Sequence, residues 1–371
     1  MSAPRFAFYM PHLRIGGAER VMANLANHFA ERGVAPAMLL DRRDGALVDA
    51  LAPDIDVIAL DAPRTLAALP RLVRVLRALR PQVLLSAITY NSPVAILAAL
   101  LARQGTRVAV AEHTILSREL GERGWRQRTL LPPVLRLAYR RAAAILCPAG
   151  AIADDLAALT GIARERIEVL PNPVIGPDAA MRALRPADDP WFAEAVPVFV
   201  AAGRLAPVKD FATLLRGFAL LAAVRPARLV LLGDGPLRTE LEAEATRLGI
   251  ADRVRFRGAV ADPLPYLARA ACVVSTSRYE GFGNVLVEAM ACGAPVVSTD
   301  CPGGPRTILD GGRLGSLVPV GDHAALAAAM SAMLAERPAA DMLRRAAQRY
   351  AIDAAGDAYL ERLRRLAHAA R

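Results

Sequence analysis

Two acidic residues flank a glycine-rich loop in the second half of the chain. Glu280 opens the segment EGFGNVLVEAMACG, and Glu288 follows in the same segment. A strand is predicted to end near Ser275, and an almost wholly apolar helix is predicted from about Asn284. Glu288 is the only charged residue of that helix, so its carboxylate needs hydrogen-bond donors. Ribose hydroxyls would be suitable donors; a structural Glu satisfied by the backbone is the alternative.

The same loop offers main-chain donors. The amides of Phe282, Gly283 and Asn284 lie at the predicted start of the helix. Because the N-terminus of a helix carries unpaired N–H groups and the positive end of the helix dipole, these amides could hold phosphate or sugar oxygens.

Two cations of different geometry follow an earlier strand, predicted over residues 198–201. Arg204 and Lys209 bracket a loop that begins at Gly203. A guanidinium fork together with a compact ammonium suits a pyrophosphate group, which has two anionic phosphoryl units. Lys209 is the only lysine among the 46 basic residues of the chain, which favours a specific role over an ordinary exposed loop.

The first half contains two weaker signals. Gly16 and Gly17 follow the first predicted strand and open a helix, which fits a phosphate-binding turn or simply a tight turn. His113 follows the strand predicted over residues 108–111. It could hydrogen-bond a polar ligand or transfer protons, or be a packed loop histidine.

Short apolar runs alternate with helical patterns in both halves, which predicts an α/β fold with mostly parallel, doubly wound sheets. The segment 172–197 contains five prolines and lacks periodicity, so it is predicted to be a linker between two similar units. Ligands of such sheets bind outside the carboxyl ends of the strands. The predicted strands are residues 6–10, 35–40, 57–60, 83–87, 108–111, 145–147 and 167–170 in the first half and 198–201, 229–232, 254–256, 272–275 and 295–298 in the second.

Composition limits the class of protein. The 371 residues are 54% hydrophobic and 22% charged, with a net charge of +10 and four cysteines. They predict a two-domain globular protein in a reducing compartment that needs no disulfide or metal to fold. No signal peptide or Asp-x-Asp metal motif is expected, and the uncharged stretch 81–102 fits a buried strand and helix better than a membrane span.

Basic amphipathic segments mark the first half. Arginines recur between apolar residues over 71–80, and others surround Trp125 and the apolar run 130–137. Such segments can rest on anionic lipid, or they can be solvated helix faces. Nucleic-acid binding is disfavoured, since aromatic residues are only 5% and no recognition motif is present.

Taken in order, the segments 16–20, 203–210 and 280–293 resemble a retaining glycosyltransferase of the GT-B fold, in family 4 (glycosyl transferases group 1). The Glu280 to Glu288 spacing is the most specific mark. The resemblance implies two Rossmann-like domains facing a central cleft. Residues 1–175 would form the acceptor-side domain and 176–350 the nucleotide-sugar-binding domain, with a helix over 351–371 packing back on the first.

The resemblance also implies roles for the residues. Arg204 and Lys209 would hold the donor diphosphate and Glu288 the ribose. Glu280 would contact the transferred sugar, and His113 the sugar or the leaving side of the reaction. Gly16 and Gly17 would offer backbone to the diphosphate, and Phe282, Gly283 and Asn284 would complete the donor site.

The expected reaction is metal-independent transfer of a sugar, with retention, from a UDP-linked donor to a glycan or lipid-linked glycan. No cofactor is expected, because the nucleotide sugar is a substrate. Cell-surface polysaccharide or glycoconjugate synthesis, in the cytoplasm or at the inner face of the cytoplasmic membrane, is the expected setting. A nucleotide-sugar epimerase of the same shape and a non-catalytic nucleotide-sugar binder remain as alternatives.

Overall fold

The computed structural model describes residues 5–368 and divides the chain into two compact units. Unit 1 contains the chain up to Val174 and again from Tyr350 onward, and unit 2 is the intervening segment Ile175–Arg349. Among the described residues, no helix is both long enough and apolar enough to cross a bilayer.

Unit 1 is built on a parallel sheet of seven strands, in the order β3-β2-β1-β4-β5-β6-β7. Central strands such as β1 are buried along their whole length, which explains why they appear as continuous apolar runs. The strands are β1 (Phe6–Met10), β2 (Ala37–Leu40), β3 (Val57–Ala59), β4 (Val83–Ala87), β5 (Arg107–Ala111), β6 (Ala144–Cys147) and β7 (Ile167–Val169).

Helices on both faces of this sheet bury its side chains. The first helix and the last pack together, and Phe29 forms edge-to-face contacts with Phe6 and Phe8 of β1. The helices are α1 (Gly17–Glu31), α2 (Leu69–Leu79), α3 (Asn91–Ala102), α4 (Leu116–Gly121), α5 (Trp125–Tyr139), α6 (Gly150–Thr160) and, at the end of the chain, α15 (Ile352–His368).

The last helix is fastened to unit 1 by polar contacts. The buried His28 of α1 lies 2.8 Å from the Asp357 carboxylate of α15, and Arg32 pairs with the same carboxylate. Arg362 pairs with Glu168 of β7. Residues 369–371, the end of the predicted 351–371 helix, lie outside the described part of the chain.

Unit 2 repeats the architecture with a parallel sheet of six strands, in the order β10-β9-β8-β11-β12-β13. The strands are β8 (Val198–Ala202), β9 (Arg228–Leu232), β10 (Val254–Gly258), β11 (Cys272–Ser275), β12 (Val296–Thr299) and β13 (Ser316–Val318). The helices are α7 (Ala179–Leu184), α8 (Phe211–Val224), α9 (Arg238–Arg247), α10 (Leu264–Leu267), α11 (Asn284–Cys292), α12 (Pro305–Ile308), α13 (His323–Ala335) and α14 (Ala340–Ala347).

The prediction that 172–197 is a linker is wrong for most of its length. This segment forms α7 and a 3-10 turn, and it contains the buried Trp191. The guanidinium carbon of Arg255 lies over the Trp191 ring, 3.9 Å from the ring centroid. Arg182 pairs with Asp262, two residues before α10. These contacts could not be predicted from the proline-rich sequence, because single cation–π contacts and ion pairs produce no periodic pattern of residues.

Candidate active site

The candidate residues of unit 2 follow the two strands at which its strand order reverses. β8 lies between β9 and β11 in the sheet, and connections leave these central strands in opposite directions. A crevice opens at such a switch point, outside the carboxyl ends of the strands. Arg204 and Lys209 follow β8, and Glu280 follows β11, so topology brings together residues that are far apart in sequence.

Lys209 and Glu280 are in direct contact. The Lys209 Nζ lies 2.5 Å from Oε1 of Glu280, and the Ser277 hydroxyl donates to the same oxygen at 2.6 Å. Glu280 is buried, whereas Lys209 keeps a quarter of its side-chain surface exposed. An ammonium has three donors, so Lys209 can hold Glu280 and still bind an anion.

The main chain fixes the two loops to each other. The Thr276 hydroxyl donates to the Lys209 carbonyl at 2.9 Å, and the Arg278 amide donates to the Val208 carbonyl at 2.8 Å. The amide of Glu280 donates to the Pro302 carbonyl at 2.9 Å, which ties this loop to the one after β12. The Lys209–Glu280 pair is therefore held by backbone bonds on both sides.

Glycines permit the loops to approach this closely. A Cβ on Gly303 would lie 1.9 Å from the Glu280 carbonyl oxygen, and one on Gly304 would lie 1.9 Å from that of Phe282. No side chain can be accommodated at these distances. The segment 301–306 thus has a packing function beside the candidate site.

The helix that follows the glycine loop begins at Asn284, where the sequence predicts it. Gly283 precedes it with φ +99°, a conformation that favours glycine, and as the N-cap residue it has no side chain with which to cap the helix. Phe282 is buried, and Glu288 is half-buried one turn along the helix.

Arg204 lies apart from this paired cluster. It is exposed, and within residues 5–368 its guanidinium has no ion-pair partner. The loop it occupies is closely packed, since a Cβ on Gly233 would lie 2.0 Å from the Gly203 carbonyl oxygen. The Arg204 guanidinium is therefore carried by a closely packed loop, and its N–H donors are available to bind an anion.

In unit 1, Gly16 and Gly17 form the start of α1. Gly16 is in an extended conformation, and no side chain of the N-cap residue caps the helix. The Glu19 carboxylate folds back over this position, since a Cβ on Gly16 would lie 2.2 Å from its Oε2. A carboxylate is favoured there by the helix dipole, so an incoming anion would compete with Glu19.

His113 follows β5, and its surroundings are unusual. Both ring nitrogens are buried, and neither has a hydrogen-bond partner within residues 5–368. Buried polar atoms without a partner are uncommon in proteins and call for an explanation. A ligand hydroxyl or phosphoryl oxygen would supply the missing partner. Desolvation lowers the pKa of His113 to about 4, so the ring is neutral at physiological pH.

Sequence reasoning missed the residue directly before it. Glu112 is buried, and its carboxylate accepts hydrogen bonds from the Thr89 hydroxyl (2.6 Å) and the Tyr139 hydroxyl of α5. Burial raises the pKa of Glu112 to about 7. The available signal was a charged residue directly after a buried strand.

The two units therefore carry different chemistry. Unit 2 presents two cations, a helix start whose N-cap residue is glycine, and two carboxylates, a set that can bind a phosphorylated, hydroxyl-bearing molecule. Unit 1 presents a neutral imidazole whose ring nitrogens have no hydrogen-bond partner among residues 5–368. Among the described residues, no group of three or more His, Cys, Asp or Glu side chains is placed to hold a metal ion.

Comparison with known proteins identifies the class. The family model for Glycosyltransferase Family 4 matches residues 15–175, and that for Glycosyl transferases group 1 matches residues 196–336. The chain belongs to this family of glycosyltransferases, which confirms the resemblance that the motifs indicated.

Individual relatives are similar in sequence to parts of this chain. The lipopolysaccharide core biosynthesis glycosyltransferase LpsE of Rhizobium meliloti is 37% identical over 54% of this chain and 57% of its own length. The GDP-mannose-dependent alpha-(1-6)-phosphatidylinositol monomannoside mannosyltransferase of Mycolicibacterium smegmatis is 32% identical over 71% of this chain and 70% of its own. Across the first three relatives, the match spans 57%, 28% and 55% of their lengths.

Solved structures extend the likeness to the whole fold. HepE of Anabaena, in complex with UDP and glucose, has a TM-score of 0.81 at 22% identity and covers 97% of this chain and 99% of its own. Sucrose-phosphate synthase of Thermosynechococcus elongatus has a TM-score of 0.78 at 21% identity, covering 99% and 100%. The predicted GT-B fold is confirmed.

Proposed function

We propose that this chain transfers a sugar from a nucleotide-sugar donor to a hydroxyl group of a glycan or lipid-linked glycan, with retention at the anomeric carbon. The observation that carries the proposal is the Lys209–Glu280 pair, held by backbone bonds at the switch point of the unit 2 sheet. Arg204 and the start of α11 lie on loops at the same edge of that sheet.

The departing group explains why cations are needed. As the glycosidic bond breaks, the sugar takes on oxocarbenium character and negative charge grows on the diphosphate. Arg204, Lys209 and the α11 amides would bind that charge more strongly in the transition state than in the ground state, which lowers the barrier. Glu288 would accept hydrogen bonds from the ribose hydroxyls.

Glu280 would bind the transferred sugar. Its Oε1 accepts from Lys209 and Ser277, which leaves Oε2 for a sugar hydroxyl. The ion pair holds this carboxylate in one orientation before the donor arrives, so little reorganisation is needed at the moment of reaction.

His113 would act as a neutral hydrogen-bonding group. With its pKa lowered to about 4, the ring can donate from one nitrogen and accept at the other, but it is too weak a base to take the proton of the acceptor hydroxyl. We therefore assign the acceptor's proton to a phosphate oxygen of the departing diphosphate. The acceptor hydroxyl then attacks from the face on which that group leaves.

The donor and product linkage are supported by the names of relatives. HepE has been solved in complex with UDP, with UDP-glucose, and with UDP and glucose, whereas the mycobacterial relative is described as GDP-mannose-dependent. We propose UDP as the nucleotide here. Two relatives are named as forming alpha linkages, and an alpha product from an alpha-linked donor corresponds to retention.

Lipid-linked or polysaccharide acceptors are supported in the same way. LpsE is named for lipopolysaccharide core synthesis, and a Campylobacter jejuni relative is named for an acceptor on diphospho-undecaprenol. Such acceptors would place this chain at the inner face of the cytoplasmic membrane. We propose that transfer needs no metal ion, because cations of the chain neutralise the diphosphate.

A panel of nucleotide sugars tests the proposal. The purified chain is incubated with UDP-, GDP- and other nucleotide-linked sugars, with and without a membrane extract as acceptor source and with and without EDTA. Mass spectrometry then detects the product. We expect that a UDP sugar is consumed only when acceptor is present, that EDTA has no effect, and that the product is alpha-linked. Conversion of the donor without acceptor would show an epimerase instead, and binding without turnover under every condition would show a binder.

A further inference from the structure

A buried carboxylate that the proposed mechanism does not use lies next to His113 in the chain. Glu112 follows β5 directly and is 1% exposed. Its amide donates to the Leu146 carbonyl at 2.9 Å, which continues the pairing of β5 with β6 by one residue. Burial of a carboxylate costs free energy unless hydrogen bonds satisfy it. The groups that satisfy Glu112 therefore indicate its role.

The Glu112 carboxylate joins three separate parts of unit 1. Its Oε2 accepts a hydrogen bond at 2.6 Å from the hydroxyl of Thr89, two residues after β4. Its Oε1 accepts a hydrogen bond from the hydroxyl of Tyr139, the last residue of α5. Thr89 and Tyr139 are both buried. The loop after β4, the end of β5 and the end of α5 are thus tied together through one side chain.

The orientation of His113 depends on its chain neighbours. Neither ring nitrogen has a hydrogen-bond partner within residues 5–368, whereas a functional histidine is ordinarily oriented by a hydrogen bond to one of them. Glu112 continues β5, and successive side chains of a strand point to opposite faces of the sheet. Because the Glu112 side chain is fastened on one face, the next side chain is directed to the other.

The loop that carries His113 is also fastened at its far end. The Ser117 amide donates to the Asp155 carboxylate of α6 at 3.0 Å, and the Ser117 hydroxyl donates to the same carboxylate. Ser117 is four residues from the imidazole, whereas Glu112 is adjacent to it. The contacts of Glu112 are therefore the nearer of the two restraints on the ring.

We propose that Glu112 is a positioning residue for His113: the Thr89 and Tyr139 hydroxyl groups hold its carboxylate, and the held carboxylate fixes the direction of the neighbouring imidazole. The part of His113 in sugar transfer rests on the proposed function, whereas the placement of the ring does not. A displacement of about 1 Å near the reacting atoms can cost roughly a hundredfold in rate. Glu112 can thus affect the reaction without contacting substrate.

The hydrogen bonds of Glu112 can be removed one at a time with little change in shape. Tyr139→Phe and Thr89→Val each delete one hydroxyl group, and Glu112→Ala deletes both contacts. Glu112→Gln can keep both, because its amide oxygen accepts from Tyr139 while its amide N–H donates to the Thr89 oxygen. The glutamine variant should therefore retain the placement of the ring that the alanine variant loses.

Unit 1 offers a matched control for the loss of a buried hydrogen bond. The Tyr9 hydroxyl donates to the Asp41 carboxylate at 2.7 Å, and both residues are buried. Asp41 directly follows β2, as Glu112 directly follows β5. Tyr9→Phe therefore deletes an equivalent tyrosine–carboxylate hydrogen bond outside the loop that carries His113, and its effect measures the loss of stability alone.

NMR titration of the ring protons tests the placement of His113 without any substrate. Desolvation lowers the pKa of His113 to about 4 in the wild-type chain. A ring released towards water should titrate nearer 6.5, so we expect the midpoint to rise by about one pH unit or more in Glu112→Ala and Tyr139→Phe. Loss of a nearby negative charge alone would lower this pKa, so a rise reports exposure of the ring. Glu112→Gln and Tyr9→Phe should keep the wild-type midpoint.

An unchanged midpoint in Glu112→Ala, Tyr139→Phe and Thr89→Val would overturn the proposal. Circular dichroism shows which variants are folded. If the alanine variant does not fold, the two variants that delete a hydroxyl group decide the result.

Steady-state kinetics relate the placement of the ring to sugar transfer. Glu112→Ala should lower kcat by up to roughly a hundredfold with little change in the KM of the nucleotide sugar, and Glu112→Gln should restore most of the rate. Equal kcat values for Tyr139→Phe and Tyr9→Phe would contradict the proposal. If the wild-type chain transfers no sugar, the proposed function is wrong, and the titration alone decides whether Glu112 places the ring.

Discussion

Lys209 and Glu280 are 71 residues apart in the chain, yet their side chains meet at 2.5 Å. Each lies on a loop that follows one of the two strands at the switch point of the unit 2 sheet. Lys209, which would bind the diphosphate, and Glu280, which would bind the sugar, thus form an ion pair before any ligand binds. The pairing explains how the only lysine of the chain can serve both the leaving group and the sugar.

Removal of the lysine should affect the chemical step more than donor binding. Lys209→Ala is expected to lower kcat by roughly a hundredfold, which corresponds to about 3 kcal/mol of lost transition-state stabilisation. Steady-state kinetics with the preferred donor measure it, and Arg225→Ala, on the surface of the same unit, is the matched control. A rise in KM with unchanged kcat would instead show that Lys209 binds the ground state and the transition state equally.

The close approach of the loops at Gly303 predicts a steric effect on the site. A Cβ at this position would lie 1.9 Å from the Glu280 carbonyl oxygen, so Gly303→Ala should displace the Glu280 loop and reduce both activity and donor binding. Gly321 also has a positive φ, but a Cβ there would meet nothing within 4 Å. Gly321→Ala should therefore lose stability, by about 1 kcal/mol, and keep its activity. Equal activity of the two variants would exclude the steric effect.

Burial of Glu112 predicts a pH dependence of stability. Its pKa is raised from 4.5 to about 7 by burial, so the native state binds the proton more tightly than the unfolded state. Stability contributed by the protonated form is present below pH 4.5 and is lost as the pH rises through 7. Relative to Glu112→Gln, which cannot ionise, the wild-type chain should lose about 3 kcal/mol between pH 4.5 and 8.

Urea unfolding of both proteins at a series of pH values measures this difference. The comparison removes the pH dependence of every other group, because the two chains differ only at position 112. A difference that stays constant with pH would show that the Thr89 and Tyr139 hydroxyl groups keep the carboxylate charged despite its burial.

The histidine should titrate far below its usual range. Desolvation lowers the pKa of His113 from 6.5 to about 4, so the unfolded state takes up its proton first. The resulting loss of stability begins as the pH falls below 6.5 and continues to about 4. NMR titration of the ring protons measures the pKa directly, and His113→Asn assigns the signal among five histidines. A midpoint near 6.5 would contradict the buried, neutral ring.

Much of the fold was accessible from the sequence because buried parallel strands appear as short apolar runs. The bounds of β1, β4 and β11 agree with the predicted residues 6–10, 83–87 and 272–275. β13 was missed because three residues at a sheet edge give no pattern. α7 was missed because prolines surround it and its anchors are single polar contacts.

The candidate site was accessible only in part. Residue types and their positions after strands indicated Arg204, Lys209 and Glu280, because parallel strands direct their carboxyl ends to one edge. The ion pair between Lys209 and Glu280 depends on the three-dimensional approach of two loops, which no local pattern encodes. The hydrogen bond from Tyr139 to Glu112 likewise depends on how α5 packs against the rest of unit 1.

A crystal structure of the full chain with UDP tests the central claim most directly. We expect diphosphate oxygens within hydrogen-bonding distance of Arg204, Lys209 and the amides at the start of α11, and ribose hydroxyls that donate to Glu288. Nucleotide bound elsewhere, or bound with its phosphates away from both cations, would contradict it.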